Sequence, residues 1–328
     1  MSEVYFYIPP DKFKKHWPTS YESSWTDFDI GGGPNVWTYF TYITLNHFGF
    51  KCHLTTEIPD NGIVCSHSRF LPQERIVNDR ALLICLRADY GRNHFAHMHV
   101  VQNPLQKRMV GRDIFERLFK PGPSYFIPYW HQPGLIHREH SRGKLFKNIV
   151  YMGQTKNLAD ELGSPEWIKE MKTEGINFMI LTQRTQWHDY SFADAVCAVR
   201  KFSFNRHIRK PASKLVNAWL AGVPAILGSE SAFCDLRRSD LDYLEVKTLK
   251  QTREAILMLR DNCELREKMI KNGKKRAKDF SMEAIAKLWI SFFDKQAIPY
   301  HENWMKSSSS FKKRFYLMKN IRGLIKKL

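Results

Sequence analysis

Ser213, Lys214 and Asn217 have the side-chain types and the spacing to hold a diphosphate and its ribose. They belong to the stretch RKPASKLVNAWLAGVPAILG, residues 209–228. Pro211 opens a helix, where its missing N–H is harmless. The helix is predicted over residues 212–221, with Leu215, Val216, Trp219 and Leu220 as apolar packing positions. Gly222 supplies the C-terminal stop, Pro224 keeps the helix from resuming, and Ala225, Ile226 and Leu227 form a short buried strand. Ser213 and Lys214 thus fall in the first turn, beside unpaired backbone N–H groups and the positive end of the dipole, where phosphate binds readily. Asn217 lies four residues after Ser213 and three after Lys214, so the three can share one face.

This helix, stop and strand resemble the C-terminal domain of the nucleotide-sugar glycosyltransferases of the GT-B fold. Those enzymes carry a helix of the kind E-G-F-G-x-P-x-x-E-A-x-x-x-G-x-P running into a strand. Here Asn217 and Ala218 stand in place of the second Glu-Ala, and Ala221-Gly222-Val223-Pro224 matches the end. Arg209 stands where the first Glu would be, so the resemblance does not carry over the retaining mechanism tied to the paired glutamates. A variant of the helix, K-P-x-x-K-L-x-N-A, is similar to that of bacterial family-4-like members. The resemblance implies two Rossmann-like α/β domains facing a central cleft. It also implies transfer of a sugar from a nucleoside-diphosphate sugar to a hydroxyl on a saccharide or lipid-linked acceptor, as in polysaccharide or glycoconjugate synthesis.

Such a displacement needs positive charge on the departing diphosphate and, if configuration inverts, a base for the acceptor proton. Lys214 meets the first need; Arg200, ending a predicted strand, and Lys210, just ahead of the helix, join it. For the base, His67 follows the predicted strand at residues 62–65, at the sheet edge where α/β sites form. Asp27 and Asp29 are the alternative, beside the glycine triplet Gly31, Gly32 and Gly33. That triplet, between the first strand and first helix, also resembles the GT-B N-terminal domain, where it lets backbone approach the donor. Asp27-Phe28-Asp29 has the D-x-D spacing of metal-dependent transferases, but it precedes a Gly-rich loop near the N-terminus instead of ending a mid-domain strand. The expectation is therefore metal-independent chemistry with no cofactor.

The elements that position these residues alternate short apolar strands with helical patterns, the signature of parallel α/β sheets. With 328 residues, two domains of ordinary size are expected. Residues 1–140 form the acceptor domain and 141–300 the nucleotide-sugar domain with a returning helix. Residues 301–328 form a basic tail, and the linker lies within residues 128–142. No stretch approaches the ~20 apolar residues of a membrane span, the N-terminus lacks a signal-peptide pattern, and the six scattered cysteines include no CxxC pair. A reducing cytoplasm fits that usage.

The net charge of +18 suits phosphate-rich substrates, anionic lipid or nucleic acid. Part of it is local: after Glu302 come only cations, while Leu317, Ile321, Leu324 and Leu328 recur at helical spacing. A cationic amphipathic tail beyond a Ser307–Ser310 hinge is expected to lie on an anionic membrane surface. The competing reading, a basic nucleic-acid-binding protein without enzymatic activity, lacks any helix-turn-helix, zinc-finger or RNA-binding signature, so no nucleic acid is expected.

Overall fold

The computed structural model describes residues 2–14, 16–22, 33–72, 80–108, 122–203 and 206–325. Two separate parallel sheets organise them. The first has the order β2-β1-β3-β4-β5-β6, with β1 at Val4–Tyr7, β2 at His53–Thr55, β3 at Gly62–His67, β4 at Ala81–Leu86, β5 at Met98–Val101 and β6 at Ser124–Phe126. The second has the order β11-β10-β9-β7-β8, with β7 at Asn148–Met152, β8 at Asn177–Leu181, β9 at Ala195–Ala198, β10 at Ala225–Leu227 and β11 at Leu244–Glu245. Central strands such as GIVCSH and ALLICL are buried at every position, as sheets covered by helices on both faces require.

The helix Met282–Phe292 continues through a π segment, Phe293–Ala297, into Ile298–Lys306 and packs on the first sheet, not the second. Trp289 meets Trp37 edge-on with ring centres 6.0 Å apart, and Phe293 meets Phe6 edge-on at 6.3 Å. The chain's end thereby closes the core that its beginning opened.

The C-terminal segment is docked, contrary to the expected free tail. Only Ser307 and Ser308 separate Ile298–Lys306 from the helix Ser309–Ile325, and the Ser308 hydroxyl accepts from the Phe311 N–H at 3.2 Å. There is no four-serine hinge. Tyr316 is buried among Trp304, Phe315 and His97. Lys312 and Lys319 are buried too: Lys312 Nζ lies 5.5 Å over the Trp304 ring, and Lys319 Nζ lies 4.7 Å over Phe315 while donating to the Ala96 carbonyl. Cation–π contact and snorkelling stems let lysines serve as packing residues here.

Candidate functional site

The helix Ser213–Ala221 starts one residue later than its sequence pattern suggests. Ala212 is the N-cap residue, no side chain caps the helix, and Gly222 ends it in the left-handed conformation (φ 74°). Ser213 and Lys214 are therefore its first two residues. Their side chains diverge. Ser213 lines the interdomain crevice with Gln102, Phe126 and Tyr129 of the first domain. Lys214 turns to the C-terminal edge of the second sheet, where its Nζ sits 5.3 Å from the Tyr151 ring centre.

Gly153, directly after β7, makes this placement possible. A Cβ there would lie 2.7 Å from the Tyr151 hydroxyl oxygen and 3.2 Å from Lys214 Nζ. Arg200, after β9, reaches the same place: its Nε pairs with Glu230 at 3.0 Å, and its guanidinium also donates to Asn157 Oδ1. Burial above all, with Arg200 and Lys210 adding to it and Glu230 acting against them, lowers the Lys214 pKa to about 8. The structure thus gathers Arg200, Lys210 and Lys214 within electrostatic reach of one another, with the buried Glu230 on Arg200 and Asp89 on Lys210. Lys214 is the member of the three with no carboxylate ion pair among the described residues, and an uncapped helix N-terminus beside it is suited to an anion.

Asn217 does not join this cluster. The chain entering the second domain passes over its face of the helix, and Asn217 Oδ1 accepts from the Gln132 N–H at 3.0 Å. Helical spacing allows a shared face with Lys214, but the linker covers it. Asn217 therefore holds the linker, and the ribose role read from the sequence is withdrawn. Arg209 is exposed.

His67 ends β3 and is fully buried, with Phe70 and Tyr90 edge-on to its ring. Its Nδ1 accepts from the Arg69 N–H at 3.1 Å. Burial, and secondarily Arg69, push its pKa down to about 4. The neutral ring therefore carries its proton on Nε2, a buried atom with no hydrogen-bond partner among the described residues. With its lone pair already engaged, His67 is a hydrogen-bond donor and not the base expected from sequence. Asp27, Asp29, Gly31 and Gly32 lie outside the described residues. Gly33 is the first residue of the helical segment Gly33–Asn35, which runs on through Val36–Phe40 to Thr41–His47.

Sequence reasoning missed four participants. Glu230 reads as the first residue of a helix but is the N-cap of Ser231–Leu236, facing Arg200. Gln102 and Asn103 follow β5 and reach the second domain, and Asp89, two residues past the buried Arg87, pairs with Lys210 at 2.5 Å. The one available signal was a polar pair closing an apolar strand.

No protein-family model matches the chain, and no curated protein sequence does. Solved structures do. TarM is 12% identical, with a TM-score of 0.52 over 77% of this chain and 58% of TarM; the chain thus spans well under two thirds of that protein's length. AviGT4, a glycosyltransferase involved in avilamycin A biosynthesis, is 13% identical, with a TM-score of 0.50 over 90% of this chain and 98% of AviGT4. A variant of S. aureus TarM in complex with fondaparinux, α-GlcNAc-glycerol and UDP is 11% identical, with a TM-score of 0.50 over 78% of this chain and 59% of that one. Two parallel α/β sheets, a helix returning to the first of them and these likenesses together establish that the chain has the GT-B fold.

Proposed function

We propose that the protein is a glycosyltransferase that moves a sugar from a nucleoside-diphosphate sugar to a hydroxyl of a saccharide or lipid-linked acceptor in polysaccharide or glycoconjugate synthesis. The observation that carries this reading is the gathering of Arg200, Lys210 and Lys214 at an uncapped helix N-terminus, with Lys214 bearing no carboxylate ion pair among the described residues. Those charges are suited to the diphosphate as it departs, so the reaction is proposed to run without a metal or cofactor. The experiment is a melting-temperature screen with UDP, GDP, dTDP and CMP derivatives in EDTA. UDP is the first expectation, because a TarM complex contains it. At a hundredfold excess over Kd a ligand of the native state adds about 2.7 kcal/mol, which moves the transition by several degrees. A labelled oligonucleotide that stabilises the protein where every nucleoside diphosphate fails would overturn the reading in favour of nucleic-acid binding.

No helix among the described residues is long and apolar enough to cross a membrane. The docked helix Ser309–Ile325 nonetheless exposes Phe311, Leu317 and Ile321 (55%, 57% and 37%), with Lys313 and Arg314 exposed beside them. An outer face of this kind favours a second element of the proposal, contact with an anionic membrane surface from the cytoplasmic side. Because the inner face is core, deleting residues after Ser307 should lower the melting temperature. Replacing Phe311, Leu317 and Ile321 together by Ser should leave melting nearly unchanged and weaken binding to phosphatidylserine-containing vesicles. Equal vesicle binding by parent and triple variant would remove the membrane from the proposal.

A further inference from the structure

The segment leading into the phosphate helix is held from the opposite domain. Gln102 and Asn103, directly after β5, are 4% and 0% exposed. Gln102 Nε2 donates to the Arg209 carbonyl at 2.9 Å and to Asp89 Oδ1 at 2.8 Å, while its Oε1 accepts from Trp37 Nε1 at 3.1 Å. Asn103 Nδ2 donates to the Lys210 carbonyl at 3.0 Å and to the Ser231 hydroxyl at 2.9 Å, while its Oδ1 accepts from the Leu105 N–H at 2.9 Å. The network fixes both amide orientations. Turned over, Gln102 would oppose its oxygen to a carboxylate and a carbonyl, and its NH2 to the indole N–H.

We infer that Gln102 and Asn103 are positioning residues that couple closure of the two domains to assembly of the diphosphate site, an inference that rests on the nucleotide-sugar reading. Asn103 touches both walls of the cation cluster. One wall is the lead-in through Lys210, four residues before Lys214. The other is Ser231, which follows Glu230, the partner of Arg200, and whose N–H donates to the Arg206 carbonyl at 2.9 Å. Lys210 Nζ itself pairs with Asp89 of the first domain. Opening the cleft breaks these bonds and releases residues 206–212 from their outer support. An anion that binds the assembled cations therefore favours the closed arrangement, and a weakened clamp reduces affinity for it. The clamp grips backbone carbonyls, so it asks nothing of the side chain at position 209. Arg209 can stand exposed there without disturbing it.

Asn103→Ala and the isosteric Asn103→Asp test the clamp, with Gln102→Ala as a second site should either fold poorly. Hydrogen exchange at residues 206–214 and small-angle scattering read closure without ligand; titration with UDP, or with the nucleoside diphosphate selected by the melting screen, reads the site. Both Asn103 variants should speed exchange in that segment, enlarge the radius of gyration and weaken nucleotide binding about tenfold. Asp should be the worse, because it presents an acceptor to the Lys210 carbonyl. A packing role would instead lower the melting temperature without loosening residues 206–214 selectively or weakening nucleotide binding. Exchange and scattering unchanged from the parent overturn the inference, as does faster exchange with undiminished affinity. A parent that binds no nucleoside diphosphate is a failure of the proposed function, and the exchange and scattering arms then still decide whether the clamp exists.

Discussion

Replacing Lys214 by Met should raise the melting temperature at pH 7 and lower turnover by ~10²–10³. The two effects have one origin. Burial and the neighbouring Arg200 bring the Lys214 pKa down from 10.5 to about 8, so at neutral pH the empty site carries an ammonium that its surroundings disfavour. Between pH 8 and 10.5 the unfolded chain keeps a proton the folded one has released, so this residue's contribution to stability rises with pH across that window. Below pH 8 the penalty is present in full, and Met removes it. A bound diphosphate reverses the sign by stabilising the protonated form. UDP affinity should therefore be level below pH 8 and weaken above it, by up to about tenfold per pH unit, whereas the Met variant should show no such bend. Calorimetric titrations from pH 6.5 to 9.5, with melting curves alongside, check both halves. If Lys214→Met binds UDP as tightly as the parent, the phosphate site lies elsewhere.

What could be read without the structure divides by the range of the interactions involved. The helix with its Gly222-Pro224 stop and the apolar strands are local patterns, and the structure contains them. So is the position of His67 at a strand end. Its protonation state is not, because the Arg69 N–H that occupies Nδ1 and the burial that neutralises the ring arise only on folding. Asn217 failed for a related reason: periodicity says which residues share a helix face but not which strand or linker crosses it. Gln102 and Asn103 bond partners more than a hundred positions away through backbone carbonyls, and no residue type marks those acceptors. In the C-terminal helix one amphipathic pattern serves equally for lipid and for the protein's own core. Lys312 and Lys319, ordinarily surface residues, lie on the buried side because aromatic faces are there to receive them.

Asp194, just ahead of β9, shows how far a single carboxylate can reach. Its side chain is 1% exposed and accepts from Arg138 and Arg142, which lie at the end of the linker, and from the N–H groups of Lys147 and Asn148, where β7 begins. Burial works against the charge, but hydrogen bonds from Arg142, the Asn148 and Lys147 N–H groups and Arg138 outweigh it and hold the pKa below its ordinary value. The stabilisation is therefore complete above the usual carboxylate range and is lost as pH falls through the lowered value. Asp194→Ala strands two mostly buried guanidinium groups and two amides, a loss of about 3–5 kcal/mol by analogy with other broken buried pairs. Asp194→Asn should be nearly as damaging, because its NH2 must face donors on one side. At pH 7 the melting temperature should fall by several degrees or more for both variants, with faster hydrogen exchange at residues 138–148, and the gap from the parent should narrow toward pH 3. Because the network lies at the entry to the second domain, away from the Arg200–Lys214 cluster, nucleotide affinity measured well below the transition should be preserved. A variant that melts with the parent would mean that Arg138 and Arg142 find other partners and that the linker is anchored by its remaining contacts, among them those of Ile136, Asn217, Arg138 N–H and Glu139 N–H.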